Sequence, residues 1–150
     1  MIEEVVSGGQ TGVDRAALDV ALELRLPCGG WCPKGRRAED GEIASRYPFR
    51  ETPSGDYFER TEWNVRDSDG TLVLTEGPPT EGTALTIELA ARLGKPFLVI
   101  DLMGQPHASM VQSWVKTHHV RILNVAGPRE SKLPGIYARA VAFLRRVLGP

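Results

Sequence analysis

The sequence predicts an α/β fold, a three-layer sandwich of about five mainly parallel strands with helices on both faces. Three observations carry this. Short apolar segments alternate with segments of helical period along the whole chain. The apolar segments are continuous rather than alternating, the pattern of parallel strands buried on both faces. Four of the five are followed by loops rich in glycine or charge, as in Rossmann-like sheets whose strand ends receive a ligand.

Residues 2–7 are partly β-branched and run into Gly8-Gly9, a strand closed by a tight turn. Val13, Ala16, Ala17, Val20, Ala21 and Leu24 then recur at helical spacing opposite Asp14, Arg15, Asp19 and Glu23, which predicts a helix to about Arg25. Gly30-Trp31-Cys32-Pro33 supplies a short second strand. Residues 34–54 are dense in charge, glycine and proline and too long for an ordinary connection, so they are expected to be functional or ordered by something they bind. Residues 57–64 read as a helix opened by Ser54 or Asp56. Residues 71–75 and 96–100 form buried-type strands around a helix at 83–93, which Gly94 ends. A helix at 109–116, a fifth strand at 120–125 and an amphipathic helix at 136–148 complete the pattern.

A chain of 150 residues buries a sizeable core without disulfides or metals, so residues 1–150 are read as one ligand-binding domain. Lys and Arg number 18 against 19 Asp and Glu, a net charge of −1. That balance lacks the broad basic face that nucleic-acid or membrane-surface binding requires. No apolar run approaches the roughly 20 residues that span a bilayer. The chain opens on strand-like, acidic residues rather than a basic, apolar leader, so a cytoplasmic protein is expected. Cys28 and Cys32 are too few for a zinc site, lack the C-x-x-C spacing, and read as reduced thiols.

The loops at the strand ends are the candidate site. Ser7-Gly8-Gly9-Gln10-Thr11-Gly12 leads straight into a helix. Glycine lets the backbone approach an anion, and a helix N-terminus offers free N–H groups and the positive end of its dipole. The spacing is neither G-x-G-x-x-G nor a Walker A sequence. Arg15, in the first turn, opposes the dipole unless it meets an anion. A second loop, residues 75–83, carries Gly77, Glu81 and Gly82 into a helix with Thr83 placed as N-cap. Lys34, Arg36 and Arg37 surround Gly35 after the second strand, suited to an arginine fork on phosphate. Asn124, Gly127 and Arg129 follow the fifth strand. Together these loops predict a pocket for a phosphate-bearing small molecule. Arg60 and Asn64 share a helix face at i, i+4, and Trp31 and Trp63 are read as core, with stacking on a flat heterocycle as the alternative. The histidines, His107, His118 and His119, lie away from the loops, and no Ser-His-Asp order or Cys-His pair supports catalysis.

Four segments, Ser7-Gly8-Gly9-Gln10-Thr11-Gly12-Val13-Asp14-Arg15, Gly30-Trp31-Cys32-Pro33-Lys34-Gly35-Arg36-Arg37, Arg60-Thr61-Glu62-Trp63-Asn64-Val65-Arg66-Asp67 and Leu123-Asn124-Val125-Ala126-Gly127-Pro128-Arg129-Glu130-Ser131, resemble the molybdenum cofactor carrier family. That family is a branch of the group that includes the lysine-decarboxylase-like and cytokinin-activating nucleotide hydrolases. The resemblance implies a Rossmann-like fold, self-association as a dimer or tetramer, and a pocket for molybdopterin, the molybdenum cofactor, with its terminal phosphate. The hydrolases carry Pro-Gly-Gly-x-Gly-Thr and a catalytic Glu at the second or third position after the Thr. Here Gly82-Thr83 is kept, but Leu85 and Thr86 stand at those positions. The nearest acid, Glu88, is turned by roughly 200° from the expected face. Binding without turnover is therefore the expected function. A sensor of a nucleotide-derived metabolite, or a hydrolase of the nucleotide glycosidic bond using Glu81 or Glu88, is the alternative.

Overall fold

The computed structural model describes residues 1–150. Strand β1 (Glu4–Val6) turns through the first glycine loop into α1 (Val13–Glu23), whose Val13, Ala16, Ala17, Val20 and Ala21 are buried, as their spacing demands. β2 (Cys28–Gly29) follows, then four two-residue strands: β3 (Trp31–Cys32), β4 (Arg37–Ala38), β5 (Gly41–Glu42) and β6 (Arg50–Glu51). Helix α2 (Tyr57–Arg66) is opened by Asp56, whose carboxylate accepts from the Phe58 amide at 2.7 Å. The rest alternates: β7 (Gly70–Thr75), α3 (Glu81–Arg92), β8 (Phe97–Asp101), α4 (Ala108–Thr117), β9 (Ile122–Ala126) and α5 (Ile136–Leu148). No helix is long and apolar enough to cross a membrane.

Five strands form one parallel sheet in the order β2-β1-β9-β7-β8. β9 lies at its centre, with Val5 opposite Leu123 on one side and Leu72 opposite Val125 on the other. Val5, Leu72, Leu74, Leu123 and Val125 share a core with α1, α4 and α5. Val73, one residue out of phase, points to the other face, where α2 packs on α3. The stripe of α5, Ile136, Ala140, Phe143, Leu144 and Val147, is buried. Withdrawing Phe143 and Leu144 from water contributes roughly 1.5–3 kcal/mol each. The fold is thus the Rossmann-like α/β sandwich with helices on both faces.

Three details differ from the sequence reading. The second strand of the main sheet is Cys28–Gly29, not residues 30–33. Gly30, at φ 115°, bends the chain out of the sheet, and Trp31–Cys32 pairs instead with Arg50–Glu51. Residues 34–54 are ordered by the protein itself: Ile43 and Tyr47 bury against Leu18 and Cys32 in a small second core, and Tyr47 donates to Asp19 at 2.5 Å. Finally, β8 is an edge strand, so Phe97 and Val99 in its apolar run remain more than a third exposed.

Candidate functional site

From β7 the chain passes to α3 on one face of the sheet, and from β9 to α5 on the other. The two connections part at the carboxyl ends of these neighbouring strands, where a parallel sheet opens a ligand crevice. A cleft of about 220 Å³ lies there. Thr80, Gly82, Thr83 and Thr86 line one side, Asn124, Gly127, Arg129 and Lys132 the other. Gly8, Gln10 and Asp14 close it beneath β1, and Tyr57, Arg60 and Asn64 reach in from α2.

Arg60 is the main charge of the cleft. It is only 8% exposed, and it is held by Nη1 donating to the Gly8 carbonyl at 2.6 Å and Nε to Thr61 Oγ1 at 3.1 Å. Its Nη2 donates to no group of the chain. Burial lowers its pKa, and nearby Asp14 pulls it back up. Gly8 makes room for the guanidinium, since a Cβ there would sit 2.6 Å from Nη1. Asn64, one turn further along α2, fixes the helix by donating to the Ser7 and Trp31 carbonyls at 3.2 and 2.9 Å.

The first glycine loop turns its donors inward. The Gln10 amide donates to Asp14 Oδ2 at 3.3 Å, that of Gly9 to Ser7 Oγ at 3.4 Å and that of Thr11 to Gln10 Oε1 at 3.0 Å. Burial pushes the Asp14 carboxyl up to about 6, against the pull of Arg60, the Gln10 amide and Arg15. The second loop is different. The Thr83 and Ala84 amides donate to the Thr80 carbonyl, but those of Glu81 and Gly82 donate to no group of the chain. Gly82 has open space around its Cα. Lys132 closes an ion pair on Glu81 across the cleft mouth, which holds the Glu81 carboxyl below its usual range. Arg129 stands beside them, 3.3 Å from Glu39.

Of the residues expected from sequence, the cleft brings together Gly8, Gln10, Glu81, Gly82, Thr83 and Asn124, with Gly127. Thr83 sits inside α3 rather than capping it, because the helix begins at Glu81 with Thr80 before it. Gly9, Thr11, Gly12, Arg15, Lys34, Arg36 and Gly77 are not among the lining residues. Arg15 donates to the Gly9 carbonyl at 3.0 Å and to Asp40 at 3.0 Å. Arg36 holds the carbonyls of Ile43, Ala44 and Tyr47. Lys34 is exposed, and the Gly77 amide donates to Asp101 at 3.2 Å. Thr11 instead joins Ser131 in donating to Glu39, which ties residues 34–54 to the first glycine loop and to the loop after β9.

Arg60, Asp14, Thr86 and Lys132 are cleft residues that the loop pattern does not single out. The i, i+4 pairing of Arg60 with Asn64 was the available signal for the first. Asp14 reads from sequence only as an acid suited to a helix dipole. Thr86 occupies a position expected of a hydrolase acid; it is buried and donates to the Gly82 carbonyl at 3.0 Å.

A family model described as circularly permutated YpsA SLOG family matches residues 5–148. The chain belongs to that family. Counted from β9, the order β2-β1-β9-β7-β8 of the sheet reads 3-2-1-4-5, as in the doubly wound dinucleotide-binding sheet. The cleft of this SLOG protein then lies between strands 1 and 4, the switch point of that order. The chain is also similar to a crystallised protein from Syntrophus aciditrophicus SB named as a molybdenum carrier protein. The two share 46% identity over 99% of this chain and 96% of the other, with a TM-score of 0.96. No curated protein matches the chain.

Proposed function

We propose that this protein binds and holds a phosphate-bearing small molecule in the β7–β9 cleft, and that the molecule is the molybdenum cofactor. The observation that carries the reading is the convergence of a buried guanidinium having a free Nη2, Arg60, with the free amides of Glu81 and Gly82 at the switch point. A helix N-terminus alone contributes about 0.3–1 kcal/mol toward an exposed anion, whereas a guanidinium adds a full charge and a second donor. Lys132 and Arg129 add charge at the mouth. The name of the Syntrophus aciditrophicus relative supports molybdenum as the cargo. No group of three or more His, Cys, Asp or Glu side chains is placed to hold a metal ion, so Arg60, Lys132 and the α3 amides would hold the cofactor through its phosphate, and the pterin would carry the metal.

Holding rather than turnover is favoured by the acids near α3. Glu88 pairs with Arg92 at 2.5 Å on the exposed face of the helix, Glu81 is engaged by Lys132, and Thr86 stands where the related hydrolases place a Glu. We place the protein in the cytoplasm, as a dimer or tetramer and without a nucleic-acid partner; light scattering tests the assembly. Native mass spectrometry with metal analysis of freshly purified protein tests the cargo, and calorimetric titration of wild type and Arg60→Lys tests the site. Retention of a molybdenum-bearing pterin, weakened at least tenfold in Arg60→Lys, is expected. Release of free base from a nucleoside monophosphate, abolished by Glu81→Gln, would overturn the carrier reading in favour of hydrolysis.

A further inference from the structure

Two helix N-termini face the crevice, and they are not equivalent. At α3 the Glu81 and Gly82 amides are free. At α1 the Gln10 amide of the glycine loop already has an anion, and it is the chain's own: Asp14 accepts from it at 3.3 Å. Asp14 is 7% exposed, lines the cleft, and is fixed through its backbone carbonyl by Ser7 Oγ at 2.9 Å. Resting on the reading of the cleft as a phosphate site, we propose that Asp14 is its specificity-determining residue. The carboxylate stands in the 8–12 loop where a second ligand phosphate would sit, so the cleft accepts one anionic group, at the α3 end, and rejects a diphosphate.

The charges around the cleft agree. Arg60 from α2 and Arg15 from α1 are the cations that face Asp14, and Arg15 is already held by Asp40 and the Gly9 carbonyl. Lys132 and Arg129 are matched by Glu81 and Glu39. One phosphate at the α3 end can share Arg60 and draw Lys132 from Glu81. A second, set against the 8–12 loop, meets an ionised carboxylate, no free cation and, at Gly9, Gln10 and Thr11, amides already bonded. A glycine loop that opens a helix, with its amides free, is otherwise a ready place for phosphate. Protonating Asp14 removes the repulsion, so the rejection weakens as pH falls below about 6.

Titration of the isotope-labelled protein with inorganic phosphate and with pyrophosphate, followed through backbone amide NMR shifts, tests this. In the wild type at pH 7.5 both anions should shift the Glu81 and Gly82 amides and leave those of Gly9 to Gly12 in place, with pyrophosphate binding no tighter than phosphate. In Asp14→Asn, which keeps an oxygen acceptor for Gln10, pyrophosphate should gain at least tenfold and shift the 8–12 amides. Wild type at pH 5 should move the same way, and Asp14→Glu should keep the wild-type pattern. Pyrophosphate shifting the 8–12 amides of the wild type at pH 7.5, or no gain in a folded Asp14→Asn, would overturn the assignment while leaving the phosphate site standing. Failure of both anions to shift any cleft amide would overturn the phosphate site itself.

Discussion

Replacing Asp14 by Asn is predicted to stabilise the protein at neutral and alkaline pH, by an amount that follows from the carboxyl's surroundings. Burial raises its pKa from 3.8 to about 6, a net effect that already includes the attraction of Arg60. The native state therefore holds this proton more tightly than the unfolded chain does. Its contribution to stability is fully present below the unfolded value and is lost as pH rises through about 6. At pH 8 the ionised group costs about 3 kcal/mol relative to the neutral one, at about 1.36 kcal/mol per tenfold change in proton affinity. Asn removes that cost but exchanges a charged acceptor for a neutral one, so the Gln10 hydrogen bond is weakened by about 1 kcal/mol. The expected gain is about 2 kcal/mol at pH 8, or roughly 4–8 °C in Tm for a chain of this size. Near pH 4 the gain should vanish or change sign. Urea denaturation of both proteins across pH 4–8 reads the difference directly. Parallel stability profiles, or a variant less stable than wild type at pH 8, would refute the reasoning.

Gly8→Ala places a methyl group 2.6 Å from Arg60 Nη1; a loss of about 1–3 kcal/mol in urea denaturation, as for other overpacked sites, is expected together with weakened phosphate binding in calorimetry. Glu39→Ala removes the acceptor shared by Thr11 and Ser131, and should cost about 1–2 kcal/mol and hasten limited proteolysis within residues 34–54. Against the effect of burial, Ser131 and Thr11 hold the Glu39 carboxyl below its usual range, so this strap contributes above pH 4.5 and weakens as pH falls through the lowered value. Arg15→Ala, judged from its bonds to the Gly9 carbonyl and Asp40, should destabilise by about 1–2 kcal/mol while changing phosphate affinity less than threefold in the same titration.

The fold is legible in the sequence because each large element has one clean signal. The period of Val13 to Leu24, the run at 71–75 and the stripe from Ile136 to Leu148 all stand where their patterns put them. What escapes pattern is pairing. Trp31-Cys32 looks like a main-sheet strand until Gly30 turns it toward Arg50-Glu51, 19 positions further on. The loops were legible as a site, yet a sequence cannot say which donors a glycine loop keeps for itself. Arg15 and Arg36 look like phosphate ligands because they follow the right strands, but the neighbouring residues 34–54 provide the carbonyls and the carboxylate that take them up. Arg60 and Asp14, by contrast, gain their character only from burial and from each other.

The position of β9 has a consequence for how the molecule is assembled. β9 is the last strand along the chain and the central strand of the sheet, and both β1 and β7 use it as a neighbour. Until it is inserted, β2-β1 and β7-β8 are two separate ribbons with a gap of one strand between them, and two-stranded units are marginal in water. Every element made earlier must wait for the final quarter of the sequence. The crevice shares this timing, since Gly8 and Asp14 come from one end of the chain, Asn124 and Lys132 from the other. A nascent or truncated protein has no half-built pocket in which to hold its ligand prematurely, and ligand capture reports that the whole chain has folded.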